Sequence, residues 1–392
     1  MIVFSAHRLY TPTEEITEPL VFVEEGRVSA VSSRREREIP AGAQVIDCAA
    51  DASDAILAPG LVDIHLHGGA GVDVMRASGD DLSRLHRFLT THGVTGYFPT
   101  TVAASLDQTC VALEFIAEAI EAAEPFVAGN DVATARPLGI HLEGPFLSHK
   151  RRGVHPPENL LEPTLQIFER LWQAARGNVR MMTIAPELPG AIEVIAEAAR
   201  RSVCVSIGHS DAEIGAARAA VRAGARHATH TFNAMRPLDH REPGILGEIL
   251  TDDTVSADII ADGIHVAPEV VKLFLQAKGT ERSVLITDSM AAAGMPDGPY
   301  QLGPIQVEVR NGRATSHGSL AGSVLTLDRA VRNVTEFAGW SLQNAVRAAT
   351  LNPARAAGLA GCGQIAVGAD ANFVVLNSAG EVRRTFVRGL SA

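Results

Sequence analysis

A strand-like run followed by an amphipathic helical run, repeated along most of the chain, restricts the possible folds more than any other feature. The repeats occupy about residues 59–357, and helical stretches are expected at 105–122, 190–201 and 211–223. Ser210-Asp211 is a typical start for the last of these helices. Eight such units predict an α/β fold, a (β/α)8 TIM-like barrel.

A doubly wound sheet also alternates strands with helices and is the structural alternative. The two folds differ in where the strand ends lie. Metal-capable side chains end the first, third, fifth, sixth and eighth strand-like runs of this sequence. A closed barrel brings all of these ends to one face, whereas a doubly wound sheet spreads them along an edge. We therefore expect the barrel.

The two ends of the chain carry short β-like runs without intervening helices. These runs are Ile2-Val3-Phe4, Leu20–Val23, Arg27–Val31, Val45–Cys48, Asn372–Leu376 and Val382–Val387. The turn Glu24-Glu25-Gly26 predicts a hairpin. Neither end is large enough to bury a core alone. We expect one small β-sandwich domain from residues 1–58 plus 359–392, beside a catalytic barrel at residues 59–358.

Composition excludes several classes of function. The formal net charge of -11 argues against a nucleic-acid partner and against an anionic membrane surface. The four cysteines show neither CxxC spacing nor the density of a disulfide framework, which favours a reducing compartment. The sequence shows no signal peptide and no apolar run long enough to span a bilayer. We expect a cytoplasmic protein that acts on a small molecule.

The polar residues at the strand ends have the chemistry of a metal site. His65 and His67 are separated by one residue, so in a strand both side chains point the same way. Glu143, His209 and His230 end later runs. Two ions roughly 3.5–4 Å apart usually share a bridging group. The pattern predicts one ion on the first histidine pair, one on the second, and the glutamate between them.

Asp288 ends the eighth strand-like run and is not one of these predicted ligands. It is therefore free to carry a proton beside an activated water molecule. The Asp-Ser sequence also suits a helix N-cap, and that interpretation stays open. Likewise, a single strand histidine is more often a hydrogen-bonded core residue than a ligand. The coincidence of five strand ends favours the metal site.

Seven segments resemble one known superfamily. They are Pro59–Gly68, His141–Phe146, Gly208-His209-Ser210, His230–Met235, Ala261–His265, Thr287-Asp288-Ser289 and Leu320–Ser323. Over essentially the whole chain the sequence is similar to the amidohydrolase superfamily, and within it to the deacetylases of N-acetylglucosamine 6-phosphate. The His-Leu-Glu-Gly-Pro and His-Thr-Phe-Asn-Ala-Met segments are the more specific, because they indicate glutamate rather than a modified lysine as the third-strand ligand.

The resemblance implies a ligand set and a catalytic pair. Glu143, His209 and His230 match the metal ligands that the family shares. Members that also carry His-x-His at the first strand bind two ions, so two zinc ions per subunit are expected. Iron, manganese and cobalt suit the same ligands. Asp288 matches the catalytic acid/base, and His155 matches a histidine that contacts the substrate near its acetyl group.

The resemblance also implies a phosphate-binding end of the site. Asn233, the backbone of Ala234, Arg241 and His265 match the sugar-phosphate contacts, some of which a homodimer partner would complete. Gly144 would let the backbone approach the ligand closely. Arg241 and His265 are also compatible with ordinary loop positions. The sequence alone leaves both interpretations open.

Together these features predict a metal-dependent hydrolase that acts in amino-sugar catabolism and cell-wall recycling. The expected reaction converts N-acetyl-D-glucosamine 6-phosphate to D-glucosamine 6-phosphate and acetate. One alternative is a deacetylase of N-acetylgalactosamine 6-phosphate. Another is an amidohydrolase acting on a different cyclic or N-acyl amide. A metal-stabilised scaffold without activity is disfavoured, because it would need Asp288 to be absent or the open metal position to be blocked.

Overall fold

The structure is a computed structural model and describes residues 1–123 and 133–392. The strands are β1 (Ile2–Ser5), β2 (Arg8–Tyr10), β3 (Glu15–Thr17), β4 (Pro19–Glu24), β5 (Arg27–Ser33), β6 (Gln44–Asp47), β7 (Ile56–Pro59), β8 (Leu61–Leu66), β9 (Gly68–Gly69), β10 (Val72–Asp73), β11 (Val94–Pro99), β12 (Arg136–Pro137), β13 (Ile140–Glu143), β14 (Val179–Ile184), β15 (Cys204–Ile207), β16 (His227–Ala228), β17 (Ser256–Ile260), β18 (Ser283–Ile286), β19 (Gly298–Leu302), β20 (Ile305–Arg310), β21 (Arg313–Ser316), β22 (Ser319–Leu320), β23 (Phe373–Leu376), β24 (Val382–Val387) and β25 (Leu390–Ser391). The helices are α1 (Gly79–Thr91), α2 (Leu106–Ala122), α3 (Leu165–Ala174), α4 (Ala191–Arg200), α5 (Ile214–Ala223), α6 (Gly244–Thr251), α7 (Pro268–Arg282), α8 (Leu327–Ala338), α9 (Leu342–Ala348) and α10 (Leu351–Ala356). Short 3₁₀ helices lie at Cys48–Ala50, His149–Arg151 and Pro157–Asn159.

A curled parallel sheet forms the centre of the molecule. Strands β13 to β18 lie side by side in chain order, and β8 pairs with β11 in a second parallel sheet. Backbone hydrogen bonds connect the two sheets at both ends: Thr101 N donates to His141 O at 3.0 Å, and Asp288 N donates to His65 O at 2.9 Å. The last strand therefore lies next to the first. The strand order never reverses within these sheets, unlike the order in a doubly wound fold.

The parallel strands are buried on both faces, because helices cover one side and the sheet's own interior covers the other. Every residue of β8 and β11 is buried. Helix α2 begins after Ser105, whose hydroxyl accepts from Gln108 N, as the sequence predicts.

Outside the short gap in the described chain, no helix is both long and apolar enough to cross a membrane.

One predicted helix start is wrong. Helix α5 begins at Ile214 rather than at Ser210-Asp211. The Ser210 hydroxyl donates to Glu187 Oε2 at 2.7 Å, and Asp211 N donates to Glu187 Oε1 at 2.7 Å. The Asp211 carboxylate accepts from Lys150 and Arg151, so neither residue caps α5, which begins three residues after Asp211 with Glu213 at its N-cap.

The two ends of the chain share one antiparallel-rich sheet and one apolar core. Strands β25, β24, β23, β7, β2 and β3 are hydrogen-bonded in that order. Phe4 packs edge-on against Phe373 and Phe386, with ring centroids 5.1 and 4.9 Å apart. Strands β4 and β5 form the predicted hairpin, in which Glu24 pairs with Arg27. Contacts across the termini therefore supply the core that neither end could form alone.

An antiparallel meander, β19 to β22, follows the last parallel strand and was not predicted from the sequence. Its apolar residues Leu302, Ile305 and Val307 pack with Val102 and Met290 in a separate core cluster. The meander therefore lies at the carboxyl ends of the parallel strands, the face on which the predicted site residues converge.

Candidate active site

Glu143, the last residue of β13, lies at the centre of a buried histidine cluster and is only 2% exposed. Its Oε1 atom is 3.1 Å from His209 Nε2 and 3.0 Å from His230 Nε2. Its Oε2 atom is 3.3 Å from His67 Nε2. The carboxylate predicted to join the two histidine pairs thus contacts both.

The geometry on the Oε1 side fits a metal ion. The Nε2 atoms of His209 and His230 are 3.0 Å apart. A tetrahedral ion with bonds of 2.0–2.1 Å would separate its ligand atoms by about 3.3 Å. His209 Nδ1 lies 3.0 Å from the carbonyl oxygen of Arg151, to which it must donate, so its Nε2 atom presents a lone pair to the cluster. These three donor atoms lie close enough together to share one ion.

A second group of donor atoms lies between Glu143 and Asp288. His65 Nε2 is 3.6 Å from Glu143 Oε1 and 3.5 Å from Asp288 Oδ1. His67 Nε2 is 3.1 Å from the same Asp288 oxygen, and His67 Nδ1 bonds the Thr100 carbonyl at 3.0 Å. Within the described ranges, neither buried ring nitrogen of His65 has a hydrogen-bond partner. Buried polar atoms are seldom left unpaired, and a bound cation would pair His65 Nε2.

The charges of the cluster depend on one another. Burial lowers the pKa of His67, but the carboxylates of Asp288 and Glu143 outweigh that effect and raise it to about 10. Burial likewise raises the pKa of Asp288, yet the His67 hydrogen bond and the charge of His65 bring it to about 2. Burial lowers the pKa of His209 to about 4. Asp288 is therefore an ionised carboxylate at neutral pH, able to accept a proton.

Asp288 is not a helix N-cap, so that alternative from the sequence is wrong. Among the described residues, the first helix after it is α8, which begins at Leu327. Asp288 also has a left-handed backbone with φ of 50°, as do His209 (46°) and His230 (29°). Non-glycine residues adopt this conformation uncommonly, in turns and at active sites. No sequence pattern indicated this strain.

His155 contacts Glu143 but has the wrong tautomer for a ligand. Its Nε2 atom lies 3.6 Å from Glu143 Oε2. Its Nδ1 atom accepts a hydrogen bond from Ala103 N at 3.1 Å, so the ring proton must sit on Nε2. A ring nitrogen that carries a proton cannot bind a metal ion. His155 therefore presents a hydrogen-bond donor to the site.

The cluster opens into a cavity of about 310 Å³. The sequence-predicted residues that line it are His67, Glu143, His155, His209, His230, Asn233, Ala234, His265 and Asp288. His65 lies beneath the cavity, fully buried. Most of the predicted site thus shares one accessible space.

The polar end of the cavity contains His265, whose Nδ1 lies 2.7 Å from Asp262 Oδ2. Asn233 is held by a bond from its Nδ2 atom to the carbonyl of His230, at 3.3 Å. Arg241 lies outside the cavity in an exposed loop, where its backbone N–H donates to Asp239 at 2.8 Å. The structure therefore brings together all the predicted phosphate contacts except Arg241.

Gly144 also lies outside the cavity wall. Its φ of +86° is a left-handed conformation, and a Cβ atom there would lie 3.2 Å from the Cβ of Ala103. The residue therefore permits a close approach between the Glu143 segment and the segment that fixes the His155 tautomer.

Sequence reasoning missed the apolar part of the lining. Val102, Val154, Leu302 and Leu320 all face the cavity. The alternation of apolar and polar residues over Ile305–Arg310 is a strand signal that could have indicated the meander. Its position over the site could not be read from that pattern.

Known proteins resemble the chain over nearly its full length. Residues 56–391 match the amidohydrolase family. The N-acetylglucosamine-6-phosphate deacetylase of Bacillus subtilis (strain 168) is 37% identical over 383 residues, which are 97% of this chain and 94% of the relative. The N-acetylgalactosamine-6-phosphate deacetylase of Escherichia coli O157:H7 is 39% identical over 336 residues, 85% of this chain and 87% of the relative.

Solved structures agree with these relatives. The N-acetyl-D-glucosamine-6-phosphate deacetylase of Mycobacterium smegmatis, in complex with N-acetyl-D-glucosamine-6-phosphate, is 36% identical with a TM-score of 0.90, covering 100% of this chain and 98% of that chain. The enzyme of the same name from Thermotoga maritima is 32% identical with a TM-score of 0.87, covering 100% and 99%. The α/β architecture is therefore that of these deacetylases.

Proposed function

The chain belongs to the amidohydrolase family, and on that basis we propose that it hydrolyses N-acetyl-D-glucosamine 6-phosphate to D-glucosamine 6-phosphate and acetate. One observation carries the proposal. A carboxylate and a hydrogen-bond donor, Asp288 and His155, flank a buried His/Glu cluster in the same cavity that contains Asn233 and His265. Amide hydrolysis needs the His/Glu cluster, the carboxylate and the hydrogen-bond donor. Asn233 and His265 suit a phosphorylated sugar.

We propose that two divalent ions, expected to be zinc, bind per subunit; iron, manganese and cobalt suit the same ligands. Glu143, His209 and His230 would hold one ion, and His65, His67 and Glu143 the other. The close grouping of His65, His67 and Glu143 supports the second site. When bound, such ions supply Lewis-acid chemistry, lowering the pKa of water and polarising a carbonyl group.

The protein's own residues perform the proton transfers. His155 Nε2–H donates to the acetyl carbonyl oxygen and stabilises the negative charge that develops there, a type of contact worth roughly 3–4 kcal/mol. Asp288 takes a proton from the attacking water and passes it to the sugar nitrogen as the C–N bond breaks. The immediate products are acetic acid and the free amine. The acid then gives its proton to the amine or to water, so acetate is released and atoms and charge balance.

The phosphate group would contact Asn233, the backbone of Ala234 and His265 at the polar end of the cavity. Arg241 is exposed and outside this cavity. We propose a homodimer in which Arg241 reaches the substrate of the neighbouring subunit. Its guanidinium can pair with two phosphate oxygens at once.

We further propose that the curled sheet is a (β/α)8 barrel over residues 59–358, with a β-sandwich domain built from residues 1–58 and 359–392. The bonds between β8 and the segment after β18, and the sheet shared by both termini, support this division. We also propose that the reaction serves amino-sugar catabolism and cell-wall recycling and that the protein acts in the cytoplasm.

Turnover by an Asp288→Asn variant tests the assignment of the proton carrier. The variant should retain metal content and substrate binding while kcat falls by several orders of magnitude. Acetate release from N-acetyl-D-glucosamine 6-phosphate would be measured together with metal per chain. A near-normal kcat in the variant would contradict the role of Asp288.

The galactosamine epimer is a second candidate substrate, because the relative from Escherichia coli O157:H7 named for it is 39% identical. The two sugars differ in one hydroxyl orientation, so kcat/KM must be compared directly on both phosphorylated epimers and on unphosphorylated N-acetylglucosamine. Equal rates with and without phosphate would contradict a phosphate site at His265.

The metal content of His65→Gln tests the ion count. One ion per chain in both the wild type and this variant would contradict the two-metal assignment.

A further inference from the structure

The walls of the cavity differ in chemistry on its two sides. Asn233 and His265 form the polar end, whereas Val102, Val154 and Leu302 form a continuous apolar wall. The proposed reaction uses the polar end and the His/Glu cluster but assigns no role to the apolar wall. An apolar surface inside a polar active site favours an apolar part of the ligand.

The apolar wall is a packed unit rather than a set of chance contacts. Leu302 is 3% exposed and Val102 is 2% exposed, and both belong to the core of the β19–β22 meander. At the turn after Leu302, a Cβ atom on Gly303 would lie 3.3 Å from Val102 Cβ. Gly303 N also donates to Asp73 Oδ2 at 2.6 Å, which fixes the turn. Leu302 is thus held firmly in place.

The apolar wall lies beside the hydrogen-bond donor of the site. Val154 directly precedes His155, and Ala103, which follows Val102, supplies the N–H that fixes the His155 tautomer at 3.1 Å. His155 and the wall's three apolar side chains line the same cavity, so the wall is available to the substituent on a carbonyl carbon whose oxygen is bound by His155 Nε2. In the proposed substrate that substituent is the methyl group of the acetyl.

We propose that Leu302, together with Val102 and Val154, determines which acyl group the enzyme removes. The wall accepts a methyl group and excludes longer chains, so the enzyme discriminates acetyl from propionyl and butyryl amides. This inference rests on the proposed deacetylase function. It assigns to the β19–β22 meander a role in substrate selection.

The test compares kcat/KM for N-acetyl-, N-propionyl- and N-butyryl-glucosamine 6-phosphate in the wild type and in Leu302→Ala. One methylene in an apolar pocket changes selectivity by about 10- to 200-fold. We expect the wild type to prefer acetyl, and Leu302→Ala to shift the propionyl-to-acetyl ratio by at least about 10-fold toward propionyl. Val102→Ala is the second variant and should shift the ratio in the same direction.

Ile305→Ala is the matched control. Ile305 pairs with Leu302 across the hairpin and belongs to the same core, but it does not line the cavity. The control should loosen the meander without changing the ratio. If Leu302→Ala and Val102→Ala both keep the wild-type propionyl-to-acetyl ratio and still hydrolyse the acetyl substrate, this inference is overturned while the proposed function stands. An equal shift in Ile305→Ala would also overturn it.

Failure of the proposed function gives a different result. In that case the wild type would release no carboxylic acid from any of the three sugars, and the assignment of the apolar wall would fall with the function.

Discussion

Asp258, a fully buried carboxylate in β17, is expected to hold His230, a proposed metal ligand, in its left-handed conformation. One of its oxygens accepts from the backbone N–H of His230, and the other lies 2.9 Å from His227 Nε2. His227 is bonded in turn to Ser256 Oγ through Nδ1, at 2.7 Å. Removing the carboxylate should therefore change both stability and metal binding.

The magnitude follows from the bonds that are lost. Asp258→Ala leaves two buried donors, His230 N–H and His227 Nε2–H, without partners. Each unpaired buried group costs about 1–3 kcal/mol, so the variant should lose about 2–6 kcal/mol of unfolding free energy. Asp258→Asn keeps an oxygen for His230 N–H. Its amide can donate to His227 Nε2 once that ring moves its proton to Nδ1, so this variant should lose only about 1–2 kcal/mol.

Urea denaturation of the metal-free proteins is the appropriate assay, because bound metal stabilises the native state by mass action. Metal affinity measured on the refilled proteins gives a second readout. We expect Asp258→Ala to bind metal more weakly than Asp258→Asn, because His230 is then no longer held. If the two variants unfold within about 0.5 kcal/mol of each other and bind metal equally, the reasoning is refuted.

Three further predictions concern single side chains. His155→Ala should keep the wild-type metal content while kcat falls about 10²- to 10³-fold, and loss of metal comparable to that of His209→Ala would show that His155 is a ligand after all. Burial, aided by the charge of Arg87, lowers the pKa of His86 from 6.5 to about 4. As the pH falls from 6.5 to about 4, His86 is therefore protonated in the unfolded chain but stays neutral in the folded protein. Unfolding free energy measured across this range should therefore fall by about 1–3 kcal/mol more in the wild type than in His86→Gln, and parallel curves would contradict this. Lys278→Met should lower the free energy of unfolding by about 1–3 kcal/mol without changing kcat/KM, because Lys278 Nζ donates to the carbonyls of Ile249 and Asp252 at 2.7 and 2.9 Å.

Much of the fold could be predicted because its signals are local. Apolar runs separated by amphipathic helices indicate parallel strands wherever they occur, and the hairpin after Glu24 follows from its turn residues. The start of α5 could not be predicted, since the side chains of Ser210 and Asp211 bond residues far away in the chain, Glu187 and Arg151 respectively. The β19–β22 meander has a strand pattern, but its packing on Val102 is a contact between distant parts of the chain.

The candidate site divides in the same way. The sequence by itself determined which candidate side chains come together, because alternation along a strand places His65 and His67 on one face and parallel strands bring Glu143 to the same end. Only the tertiary structure decided how each group acts. The tautomer of His155 depends on Ala103 N, and the apolar wall depends on where Leu302 packs. Backbone geometry fixes a side chain's direction within a few residues, whereas hydrogen bonds and packing between distant segments exist only once the chain has folded.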